Sequence, residues 1–113
     1  MANNPPYMSD TVAQVSSAME VNVFTNVALQ LDPGQSITAS PAPTAILVDS
    51  GSQVDVSATS LVPPVTVSGT KLVAIVKALT AGHQYDLVFT YLPTPPNFAG
   101  QQLSAVQPVS CRY

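Results

Sequence analysis

Tryptophan is absent from this 113-residue sequence, and cysteine and histidine occur once each. A lone Cys111 excludes an internal disulfide. With His83 as the only histidine, the several Cys/His ligands of a zinc site are missing as well. Charge is scarce. Only 8% of residues are charged, six acids against three bases, for a formal net charge of −3, where a typical soluble domain carries about 25%. Lys71, Lys77 and Arg112 do not amount to the basic patch that nucleic-acid binding requires, so no nucleic-acid partner is expected. Five glycines leave no room for a long phosphate-cradling loop. No run approaches the about 18 apolar residues needed to span a bilayer, and the longest apolar-rich segment, residues 72–79, contains Lys77. The opening Met1-Ala2-Asn3-Asn4-Pro5-Pro6-Tyr7 has neither a basic residue nor an apolar run. It is therefore read as a native start rather than a secretory leader, and the expected site of synthesis is a cytoplasm, where a lone thiol stays reduced.

What is present is a core-forming fraction of 46% apolar residues, enough for one domain of ordinary size. Polarity comes from 12 Ser, 10 Thr, 8 Gln and 5 Asn, and residues 87–111 contain no charge at all. A free monomer usually carries a mixed-charge surface. A chain this neutral is expected to cover much of its surface with partners.

Eleven prolines punctuate the chain and leave little space for long helices, whose interiors reject proline at about 3 kcal/mol. Sixteen valines and ten threonines favour strands. Residues 1–12 lack any alternating pattern and are read as an extended arm. Residues 10–19 fit two readings, a short helix capped by Asp10 with Val12, Val15 and Met19 on one side, or an extended edge strand. Residues 1–19 are accordingly assigned as an N-terminal arm and residues 20–113 as the domain. Val21, Val23, Val27, Leu29 and Leu31 repeat at period 2 and predict a strand over 20–31, with a bulge near Phe24 and Asn26. Asp32-Pro33-Gly34 is a turn with proline presetting φ and glycine accepting positive φ. Shorter strands are expected at 36–39, 45–48, 54–56 and 65–67, with Leu61-Val62-Pro63-Pro64 as an edge crossing. Residues 71–79, 85–92 and 101–111 complete the set, with Tyr85, Leu87, Phe89 and Tyr91 on one face and Leu103 inward. About seven short strands at this spacing predict an all-β sandwich.

Leu79-Thr80-Ala81-Gly82-His83-Gln84-Tyr85 has the form of a tyrosine corner, in which a tyrosine at a strand start hydrogen-bonds back to the corner's backbone. Leu79, Gly82 and Tyr85 are its structural residues. The motif resembles the corner between the E and F strands of immunoglobulin-like and fibronectin-III-like domains, without the antibody cysteine pair or core tryptophan. Together with Leu29-Gln30-Leu31-Asp32-Pro33-Gly34-Gln35-Ser36-Ile37-Thr38 and Val67-Ser68-Gly69-Thr70, it resembles short immunoglobulin-like proteins encoded among the structural genes of tailed bacteriophages. That resemblance implies a virion protein made in the host cytoplasm: a capsid cement or decoration subunit, a head–tail connector or neck component, or a tail or fibre module.

Catalysis requires a constellation of groups. A Ser–His–Asp arrangement would have to use His83 with Asp86 or Asp49, but no Gly-x-Ser-x-Gly elbow occurs, and His83 is read as an exposed turn residue. Cys111 is read as a small apolar side chain of the last strand. The acids at 10, 20, 32, 49, 55 and 86 form no pair of the glycosidase kind, and Asp49 with Asp55 falls short of the six to eight oxygens calcium takes. Tyr85, Phe89 and Tyr91 alternate on one strand, so at least two of the three are assigned to the core. Phe98, in the loop Pro95-Pro96-Asn97-Phe98-Ala99-Gly100, fits either a contact residue or a plug of its own sandwich.

The expectation is a non-enzymatic virion structural protein without cofactor, metal or small-molecule ligand, most simply a cement subunit. It would form homo-oligomers and bind the major capsid protein or other virion proteins, away from membranes. Pro5, Pro6, Tyr7, Met8 and Phe98 are the candidate interface residues, with the arm adding a strand to a neighbour's sheet edge. A carbohydrate- or receptor-binding module is the alternative from another class, and Tyr7, Tyr91 and Phe98 are its candidate exposed aromatics.

Overall fold

A computed structural model describes residues 7–8, 13–15, 20–38 and 42–111. Among the described residues, eleven strands and one short helix follow in order: β1 Tyr7–Met8, β2 Ala13–Val15, β3 Val21–Asn26, β4 Ser36–Ile37, β5 Thr44–Asp49, β6 Val54–Asp55, α1 Ser57–Ser60, β7 Leu61–Ser68, β8 Lys71–Val76, β9 Gln84–Tyr91, β10 Pro93–Thr94 and β11 Leu103–Cys111. The fold is all-β. The larger sheet runs β1-β11-β9-β5-β6, with β2 also on β11, and a second sheet runs β3-β8-β7. A two-stranded ribbon pairs β10 with β4.

Alternation builds the interior. Along β9 the odd residues Tyr85, Leu87, Phe89 and Tyr91 are all buried, and along β11 Leu103, Ala105, Val109 and Cys111 join them. Val23 of β3 and Leu72, Ala74 and Val76 of β8 meet the same cluster from the second sheet. One apolar face per sheet thus closes one core, each fully buried large side chain contributing about 1.5–3 kcal/mol. The prolines sit where ladders tolerate them. Pro63 and Pro64 lie in β7, an edge strand of its sheet, inside the register irregularity between Val62 and Thr66, so their missing N–H groups interrupt no regular pairing.

Several expectations change. The strand predicted over 20–31 ends at Asn26, because the chain turns: Gln30 N–H donates to Val27 O at 2.9 Å, and Asn26 Oδ1 accepts from Ala28 N–H at 2.9 Å. Leu29, which continued the period, is 87% exposed. No bulge occurs near Phe24, since β3 pairs with β8 without interruption from Val21↔Val76 to Asn26↔Lys71. The Asp32-Pro33-Gly34 turn is present, with Gly34 at φ +86° and Gln35 N–H on Asp32 O at 2.9 Å. Residues 57–60 form a single helical turn that no sequence pattern predicted.

Within the arm, residues 7–8 and 13–15 are described. Of the helix and strand readings for residues 10–19, the described part, Ala13–Val15, is a strand. It pairs in parallel with Val109–Cys111 of β11, and Tyr7–Met8 pairs in parallel with Ala105–Val106. Val15 is 7% exposed and belongs to the core. The described parts of the arm add their strands within the chain, along the side of β11 that would otherwise stand as an unpaired edge.

Candidate functional site

At one end of the larger sheet, β5 finishes in Asp49 directly across from Tyr85. The turn after β5 folds over the turn before β9, and Ser50 seals the two: its N–H donates to Gln84 O at 2.9 Å, as does its hydroxyl at 2.9 Å. Asp49 occupies an inward position and is buried. Its Oδ1 accepts from Gly51 N–H at 2.9 Å and Ser52 N–H at 3.3 Å. Its Oδ2 meets His83 Nδ1 at 2.7 Å. An ionised carboxylate only accepts, so the Nδ1 proton donates in this pair. The bond from His83, reinforced by the Ser52 and Gly51 amides, holds the Asp49 carboxyl below its ordinary range against the opposing effect of burial. His83 is therefore not a bare turn residue. Its side chain is half exposed, yet anchored by Asp49 and stacked on Tyr85 with ring centroids 6.4 Å apart.

These turns border an open hollow of about 560 Å³ lined by Asp49, Ser50, Gly51, Ser52, Gly82, His83 and Gln84. An aspartate-oriented imidazole is half of a hydrolytic triad. The other half requires a hydroxyl bonded to that imidazole. Among the described residues the neighbouring Ser50 hydroxyl is directed to Gln84 O instead. No group of three or more His, Cys, Asp or Glu side chains that would hold a metal occurs among the described residues.

The corner residues lie alongside. Leu79 and Tyr85 are each 4% exposed. Thr80 N–H donates to the Tyr85 hydroxyl at 2.9 Å. Gly82, at φ +85°, lets the turn close with His83 N–H on Thr80 O at 3.1 Å, and its own N–H donates to Cys111 O at 2.8 Å. At the opposite end Phe98 is half-buried in a loop that is well tied. Gln35 Nε2 donates to Pro95 O at 2.8 Å, Asn97 Nδ2 to Asp32 Oδ2 at 2.7 Å, and Asn97 N–H to the buried Gln101 Oε1 at 2.7 Å. Tyr91, weighed as an exposed aromatic, is 1% exposed and is no stacking platform. Its hydroxyl, pushed well above the ordinary phenol range by burial, donates to Gln30 Oε1 at 2.5 Å. Pro5 and Pro6 lie outside the described residues, and of Tyr7 and Met8 the backbone pairing is what the structure gives. Cys111 is buried in the core.

The outward sheet faces escaped sequence reasoning. On the larger sheet, Val106, Val88 and Ile46 stand side by side across β11, β9 and β5, and Ile46 is 45% exposed. The adjoining rung carries Pro108, Asp86, Val48 and Asp55. On the second sheet Phe24, 52% exposed, stands beside Val73, with Ile75 and Val62 on the next rung and Lys71 Nζ 4.8 Å from the Phe24 ring centroid. Each face has an apolar centre and few charges. A second apolar feature, a groove of about 320 Å³ lined by residues that include Pro43, Leu61, Pro63 and Pro64, opens between the start of β5 and β7.

Comparison with known proteins adds no relative: no protein-family model, curated protein or solved structure matches the chain.

Proposed function

We propose that this chain is a non-enzymatic structural subunit of a tailed-phage virion, an immunoglobulin-like sandwich that acts as a capsid cement or decoration protein by covering joints between major capsid subunits. The strand orders β1-β11-β9-β5-β6 and β3-β8-β7, the parallel addition of the N-terminal strands to the last strand and the backward bond to the Tyr85 hydroxyl support the immunoglobulin-like part of the reading.

The observation that carries the functional part is the pair of sheet faces whose centres are apolar rather than charged, with Ile46 and Phe24 about half exposed. Scattered exposed apolar residues are ordinary, whereas side-by-side rows on a sheet are characteristic of interaction surfaces. A contact of ordinary size covers about 800 Å² per partner, and repetition over a symmetric shell makes individually weak contacts cumulatively strong.

Co-sedimentation tests this reading. Purified full-length chain is mixed with empty shells assembled from the major capsid protein encoded in the same genome. Saturable binding at a fixed copy number per shell is expected. A chain left entirely in the supernatant at saturating concentration contradicts the cement role.

A further inference from the structure

We infer that copies of this chain bind one another head to tail, the outward face of β3-β8-β7 of one copy covering the outward face of β11-β9-β5 of the next. The inference rests on the structural-subunit reading: a second copy covers one face of each chain, and the faces left free at the ends of an assembly remain for the shell.

Charge singles out that occupant. Within the strands of the second sheet, Lys71 is the one charge on the outward side, while on the larger sheet Asp86 and Asp55 are acids without a base. On both sheets the charge lies two residues along the strand from the apolar rung: Lys71 before Val73 on β8, Asp86 before Val88 on β9. Two residues of strand span about 7 Å. With β8 of one copy running along β9 of the next, Phe24 and Val73 therefore cover Ile46, Val88 and Val106 while Lys71 reaches Asp86. A contact between two copies of the larger-sheet face offers Asp86 and Asp55 no base, whereas the second-sheet face carries Lys71, with Lys77 against Glu20 at its far end, so unlike faces are favoured. Because the two faces differ, each bound pair still presents one free face of each kind, and association continues into a ring or an open chain.

Sedimentation equilibrium of the full-length chain over rising concentration tests this, with circular dichroism confirming that every variant is folded. The expected wild-type mass climbs through and past the dimer. Ile46→Arg and Phe24→Arg each stay monomeric alone, yet an equal mixture of the two forms a dimer and stops there, since each supplies the face the other lacks. As a milder pair, Lys71→Glu and Asp86→Lys each weaken association about tenfold, and the double exchange restores it. A wild-type mass that stops at the dimer, or a monomeric mixture, overturns the head-to-tail contact. A monomeric wild type that still sediments with shells overturns this contact alone and leaves the cement role standing; an assembling chain that ignores shells overturns the cement role alone.

Discussion

The two surfaces of the β11-β9-β5 sheet are made by the same strands and do different work. Inward, Tyr85, Leu87, Phe89, Tyr91, Leu103, Ala105 and Leu47 are all at or below 4% exposure. Outward, Val88, Val106 and Val48 are half-buried and Ile46 is about half exposed. Both surfaces are apolar at their centre, yet only the inner one is completed by this chain's second sheet. The difference teaches that hydrophobicity alone does not locate the core of a β-protein. The presence of an opposing layer does.

Substitutions on the inward surface should therefore cost folding stability. The largest effect is expected for Phe89→Ala, at about 3–5 kcal/mol, read as a loss in the urea midpoint. Thr25 sharpens the comparison from the other direction. It occupies an inward position of β3 at 2% exposure, and its Oγ1 has no partner among the described residues. Thr25→Val should stabilise by about 1–2 kcal/mol by removing an unsatisfied buried hydroxyl at nearly constant volume. Tyr85→Phe keeps the ring in the core and deletes the acceptor for Thr80 N–H, so a loss of about 1 kcal/mol is expected.

Asp49 is a carboxylate on an inward position, and its expected effect appears only on acidification. Its native carboxyl lies below the ordinary value, so its contribution is present above the unfolded value, about pH 4. That contribution is lost as the pH falls through the native one. Between pH 6 and pH 3 the urea midpoint of the wild type should fall further than that of Asp49→Asn. Parallel decline of the two would show that the His83–Asp49 clip adds nothing.

How much of this was readable beforehand depended on how far apart the interacting residues lie. The strands β9 and β11 announced themselves because strict alternation is a local signal, and the glycine turns at 34 and 82 did so because positive φ selects glycine. Residues 27–31 kept the alternation without the strand, since Asn26 and Val27 start a turn whose hydrogen bonds no period encodes. The partners Asp49 and His83 are 34 residues apart and meet only through the pairing of β5 with β9. Both residues were visible as candidates, but the bond between them was not. Gln30 likewise reaches Tyr91 across 61 residues. The docking of residues 7–8 and 13–15 on β11 depends on which edge of β11 its pairing with β9 leaves open. The outward apolar rows are set by register across three strands, which single-strand periodicity does not supply.

The most direct test of the division between the two surfaces is Val88→Lys, measured on one preparation for thermal midpoint and for sedimentation with empty shells. An inner core that holds the fold and an outer row that binds predict a midpoint within about 4 °C of wild type, together with loss of the chain from the shell pellet. A midpoint lowered well beyond that range, or undiminished shell binding by a folded variant, would contradict it.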